Sequence, residues 1–169
     1  MSLQTVLLGI DPGLVRTGWG VIACEGAKMS WIAHGVITPP THLALAERLG
    51  VLSQGIQDVL NFYCPTEAAV EEVFMAKNAQ SALLLGHARG ATLAILAHNK
   101  MRVTEYATRH IKQALVGTGG AQKEQVAFMV RRLLPQAGTV SADAADALAA
   151  ALCHGTERKT NRLLKVKHP

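Results

Sequence analysis

QTVLLGIDPG, residues 4–13, is the stretch that decides the fold. Its first seven residues are nearly all apolar, and Asp11-Pro12-Gly13 then stops the run with turn-forming chemistry. Such a short apolar run reads as a strand covered on both faces, which belongs inside a layered α/β sheet. Working outward, residues 19–24 and 29–38 read as two further strands joined through Glu25-Gly26, an antiparallel meander closed by Pro39-Pro40. Leu45, Leu49, Leu52, Ile56 and Val59 recur at steps of four, three, four and three, which predicts a helix over about residues 43–62. A fourth strand follows at residues 68–73 and carries Glu71-Glu72 at its end. Helix and strand then alternate, with helices at 79–98, 108–116, 122–134 and 141–154 and a strand at 102–106. The expected fold class is α/β: a five-stranded mixed sheet, antiparallel meander then parallel strands, with helices on both faces. One domain, residues 1–156, accounts for this pattern. Residues 157–169 lack apolar periodicity and read as a basic, flexible C-terminal tail.

Composition bounds the function. The chain has 169 residues, 49% hydrophobic and 17% charged, which supplies a full core and excludes a disordered chain. Every apolar run is broken well short of the roughly 20 residues a membrane-spanning helix needs. The N-terminus lacks a basic region followed by a cleavage motif, so no export is expected. Cys24, Cys64 and Cys153 are odd in number and form no CxxC pair, which points to a reducing, cytoplasmic setting. Net charge is +5, but residues 73–132 carry nine bases against two acids, whereas residues 1–72 are net acidic. A basic middle of this kind suits a polyanion such as a phosphodiester backbone, the plainer alternative being a solvated basic coat.

Four acids fall where carboxylates are costly. Asp11 closes the first strand and Glu71 the fourth. Asp143 and Asp146 are three residues apart in ADAADALAAAL (142–152), so they share one face of a helix that is apolar almost all round. Each acid alone has a plain reading, as a turn initiator, a solvated strand end or a helix N-terminal charge. If two strand ends and this helix meet, however, four carboxylates share a pocket that the local sequence gives no Lys or Arg to neutralise. Like charges there raise one another's pKa values unless a cation intervenes. Oxygen-only donors favour Mg²⁺, with Mn²⁺ as a substitute, and the scattered histidines disfavour zinc. A pair of such ions beside a basic surface is the arrangement for phosphodiester hydrolysis.

GIDPG (9–13) with Thr17-Gly18, VEEVFMAKNAQSALLLGHARG (70–90), Lys112, Gly117–Gly120 with Lys123, and ADAADALA (142–149) together resemble the RuvC family of bacterial Holliday junction resolvases. The resemblance covers about residues 5–155. It implies a ribonuclease H-like fold and a homodimer, with paired symmetric nicking of four-way DNA junctions to leave 5′-phosphate and 3′-hydroxyl ends. By motif position it makes Asp11, Glu71, Asp143 and Asp146 the metal-binding catalytic acids, with Glu71 preferred to Glu72. It also makes Phe74 a base-stacking residue and Lys77, Arg89, Lys112 and Lys123 DNA contacts. Cooperation with a RuvA–RuvB branch-migration complex is implied as well. Gly86 and Gly90, four apart on one helix face, mark either a dimer seam or close packing on the chain's own sheet.

Two other classes compete. GIDPG with Thr17-Gly18 also resembles the first phosphate hairpin of actin-like ATPases, but the second hairpin such proteins need is missing from the sequence. A purely binding module would have little use for four costly acids. Within nucleases, an enzyme cutting RNA–DNA hybrids is the nearest rival.

Overall fold

The computed structural model describes residues 4–72 and 78–166. Phe74 and Lys77 therefore lie outside the described residues. Five strands form one sheet: β1 (Thr5–Asp11), β2 (Thr17–Glu25), β3 (Lys28–Ile37), β4 (Glu67–Glu72) and β5 (Arg102–Ala107), in the order β3-β2-β1-β4-β5. β1 to β3 pair antiparallel, and β1, β4 and β5 run parallel. This is the mixed sheet expected from the sequence. The helices are α1 (Leu45–Tyr63), α2 (Ala79–His98), α3 (Thr108–Val116), α4 (Lys123–Leu133) and α5 (Ala142–Val166).

Strand alternation divides the core in two. Leu8 and Ile10 of β1 with Ala68 and Val70 of β4 face α1 and α2, packing on Leu52, Ile56 and Leu96. Leu7 of β1 and Ala69 of β4 face the other way, onto α5 and the residues of α3 and α4 beyond it. With a period of two, Asp11 and Glu71 fall on this second face. The β1–β4 register reaches Ile10 opposite Val70, so the next step along both strands sets Asp11 beside Glu71.

α5 crosses that face at very short range, and glycine is what permits it. A Cβ at Gly9 would lie 1.9 Å from the Ala147 carbonyl oxygen, and one at Gly18 would lie 1.9 Å from that of Asp143. The helix in turn presents Ala144, Ala147, Ala150 and Ala151, all fully buried. Small residues on both partners bring the first two turns of α5 down onto the ends of β1 and β2.

At the opposite end of β4 a buried polar network fixes α5. The Tyr106 hydroxyl lies 2.8 Å from His154 Nδ1, and His154 Nε2 lies 2.9 Å from Glu67. Arg158 Nε donates to both Glu67 oxygens, at 2.8 and 2.9 Å. Burial lowers the His154 pKa, and the neutral ring can accept from tyrosine while donating to glutamate. Against burial, the bonds from Arg158 and His154 hold the Glu67 pKa low.

The expectation that the last helix stops near His154 is corrected. The α5 backbone stays helical to Val166. Gly155 sits inside the helix, where a Cβ would lie 2.6 Å from Met29 Sδ. Beyond it Glu157 bonds His110 and Arg158 holds Glu67, so polar anchors continue the helix where apolar periodicity ends.

Candidate active site

A pocket of about 370 Å³ opens at the ends of β1, β4 and β5, and Asp11, Glu71, Asp143 and Asp146 all line it. Two strand termini and the first two turns of α5 thus bring together the four acids that the sequence analysis selected. Period-two alternation also separates the two neighbouring glutamates. Glu71 is 8% exposed and faces the pocket, whereas Glu72 lies 3.7 Å from Arg89.

The electrostatics show a strained anionic cluster. Burial, followed by the charges of Glu71, Asp146 and Asp143, pushes the Asp11 carboxyl up to about 8. Burial likewise raises Glu71, although Thr108 Oγ1 donates to its Oε1 at 2.6 Å and counters part of the effect. Asp146 is raised by burial too, with Lys123 opposing.

The pocket is not free of cations, contrary to the expectation from local sequence. Arg16 Nε lies 2.6 Å from Asp143 Oδ2, and Lys123 Nζ lies 3.6 Å from Asp146 Oδ2. Lys112 of α3 also lines the wall. These bases are remote from the aspartates along the chain, so only folding reveals the pairing. Arg16 and Thr108 escaped the sequence analysis. The signal for Thr108 was available, since it follows the end of β5 and parallel neighbours end at the same edge of a sheet. Arg16 depended on how the β1–β2 turn curls back.

Of the expected DNA contacts, Lys112 and Lys123 reach the pocket. Arg89 does not line it: its guanidinium is held by Glu105 and Glu72.

The donor set fits a divalent cation. It is all carboxylate oxygen, and a +2 charge would relieve the repulsion that raises Asp11. Among the described residues, the three His, Cys, Asp or Glu side chains whose donor atoms all fall within 4.8 Å of one another lie elsewhere, at His110, Cys153 and Glu157. There the His110–Glu157 bond ties α3 to α5. Burial, reinforced by Glu157, pushes the Cys153 thiol up to about 12, which disfavours the thiolate a metal needs. The four acids are spread more widely, two of them held by Arg16 and Lys123.

A mixed sheet of this order, with carboxylates at the ends of its central strands and on the helix packed across them, defines a ribonuclease H-like nuclease. The family model described as "Crossover junction endodeoxyribonuclease RuvC" matches residues 7–154. The chain belongs to the RuvC family. It is 56% identical over 160 residues to the crossover junction endodeoxyribonuclease RuvC of Caulobacter vibrioides, covering 95% of each chain. It is 54% identical over 164 residues to that of Maricaulis maris, covering 96% of this chain and 98% of the relative. Among solved structures, T. thermophilus RuvC in complex with a Holliday junction substrate superposes with a TM-score of 0.86 at 35% identity, covering 93% of this chain and 96% of that one.

Proposed function

We infer that the chain is a crossover junction endodeoxyribonuclease that resolves four-way DNA junctions. Membership of a family of divalent-metal-dependent nucleases supports this reading. The observation that carries it is the convergence of Asp11, Glu71, Asp143 and Asp146 in one pocket with Lys112 and Lys123 on its wall.

Asp11, Glu71, Asp143 and Asp146 would hold two Mg²⁺ ions, or Mn²⁺ in their place, which would supply water activation and charge stabilisation at the leaving oxygen. Asp11 and Glu71, fixed on adjacent strands, give the rigid half of the donor set. Asp143 and Asp146 give the half carried by α5. Lys112 and Lys123 hold the phosphodiester against the acids by charge. Water oxygen bonds to phosphorus as the P–O3′ bond breaks, and the departing oxygen takes a proton. The products are a 5′-phosphate and a 3′-hydroxyl. Phe74 stacks on bases near the junction centre.

Paired symmetric nicks need two identical sites, hence a two-fold dimer. The α2 face with Gly86 and Gly90 is the seam we favour. Among the described residues, neither glycine has an atom outside its own helix backbone within 4 Å of where a Cβ would sit, and Leu83 beside them is 62% exposed, which favours a face turned away from the chain's own sheet. A monomer by sedimentation with junction bound would reject the dimer. The site of action is the cytoplasm. Among the described residues no helix is long and apolar enough to cross a membrane.

The test is to incubate the protein with a synthetic mobile four-way junction, an RNA–DNA hybrid and a plain duplex, with and without Mg²⁺, and to map every nick. Mg²⁺-dependent nicks at symmetric positions on two opposed strands of the junction are expected. Preferential cutting of the hybrid would overturn the reading.

A further inference from the structure

Next to the catalytic pocket lies a groove of about 350 Å³, and Arg16, Leu85 and Asp143 line both. Its other walls include Val15, Arg48 and Ser81. The groove has two guanidinium groups and one carboxylate, Asp143, which belongs to the acid cluster.

Arg48 is short of acceptors. Its Nη2 donates to the Leu14 carbonyl at 2.9 Å, and its Nε is buried with no hydrogen-bond partner among the described residues. Among the described residues Arg48 forms no ion pair, so its guanidinium is free to take an anion from outside the chain. Among the described residues Arg16 has one ion-pair partner, Asp143, which is also a donor in the acid cluster. Once that carboxylate turns to a divalent cation, Arg16 needs another anion. Beside them Val15 projects from the β1–β2 turn, 61% exposed, an apolar side chain at the rim of a charged groove.

We propose that this groove is the subsite for the nucleotide adjoining the scissile phosphate, with Arg16 and Arg48 taking the flanking phosphate and Val15 resting against its sugar or base. The proposal rests on the nuclease reading above and adds to it where the strand runs after leaving the acids. Arg16 then serves twice: it neutralises Asp143 in the free protein and exchanges that carboxylate for phosphate when DNA and metal are bound.

The test compares wild type with Arg16→Ala, Arg48→Lys and Val15→Asp on a four-way junction in Ca²⁺, by phosphate-ethylation interference and by the salt dependence of binding. Val15→Asp leaves the guanidiniums in place and sits on an exposed turn, so it reports on the groove even if an arginine variant disturbs the Leu14 loop. In wild type, ethylation at the scissile phosphate and at one neighbour should weaken binding. In Arg16→Ala and Val15→Asp the neighbour's signal should disappear while the scissile signal stays. Junction Kd should rise roughly tenfold, as expected for losing one charge-assisted contact. For Arg16→Ala the salt slope should be shallower by about 0.7–0.9. A Mn²⁺ titration without DNA should show Arg16→Ala binding at least as tightly as wild type, because a competitor for Asp143 is gone. An unchanged neighbour signal in both variants, or weakened Mn²⁺ binding by Arg16→Ala, would overturn the subsite and leave the nuclease reading standing. A wild-type protein with no interference anywhere on the junction would remove the nuclease reading, and the subsite with it.

Discussion

The Asp11 carboxyl lies between two requirements. It must be ionised to hold a cation, yet burial and three neighbouring acids push its pKa up to about 8. The folded state therefore holds a proton there that the unfolded chain releases near 3.8, and this contribution to stability is lost as pH rises through that window. Asp11→Asn should raise Tm in metal-free buffer at pH 8 by about 4–8 °C, from roughly 2 kcal/mol of relieved repulsion, and the gain should fade towards pH 4. A Tm equal to wild type at pH 8 would show that the acids do not repel. Asp146→Asn removes charge and keeps shape. Nicking should fall at least a hundredfold while junction binding in EDTA stays within a few-fold, read by gel shift and nick mapping on the same preparation. The choice of Glu71 over Glu72 was legible in the sequence only through its motif position in the family resemblance; in the sheet, period-two alternation puts Glu71 and not Glu72 beside Asp11. The Arg16–Asp143 and Lys123–Asp146 pairs were not legible, since each joins residues whose proximity exists only after the turn and α4 have docked.

The elements place these side chains through two devices at opposite ends of the sheet. Near the acids, Gly9 and Gly18 let the α5 backbone touch β1 and β2; at the start of β4, Glu67 holds His154 and Arg158 of the same helix, and Tyr106 of β5 reaches His154. The succession of strands and helices along the chain could be read from apolar spacing and turn residues. The length of α5 could not, because the residues just past His154 are held by Glu157 and Arg158, and side chains of that kind look like solvated charge until their partners are known. Glu67→Gln should cost about 3 kcal/mol at pH 7, about 6–12 °C in Tm, by leaving Arg158 without its anion. Glu67 and His154 both have pKa values lowered by folding, so the unfolded chain binds more protons at either site. Their stabilisation is present above pH 6.5 and lost as pH falls, first through His154 and then through Glu67. The Tm gap between Glu67→Gln and wild type should narrow as pH falls below 4.5, where Glu67 takes up its proton. A gap that does not change below pH 4.5 would contradict the assignment.

On the scale of the whole molecule, the charge is divided as the chemistry requires. Acids gather at one end of the sheet, and the bases of residues 73–132 include the lysines on the pocket wall. Lys112→Ala and Lys123→Ala should each make the salt dependence of junction binding shallower by about 0.7–0.9 in log–log slope, and a slope equal to wild type in both would remove them from the DNA path. The central claim is that four acids distant in sequence form one cation site. Crystals soaked in Mn²⁺ and measured at the manganese absorption edge test it most directly. The account predicts anomalous density in the pocket within bonding distance of Asp11 and Asp146, and none there in Asp146→Asn crystals soaked the same way. Manganese density bound only at other sites, with the pocket between β1, β4 and α5 vacant at saturating metal, would contradict it.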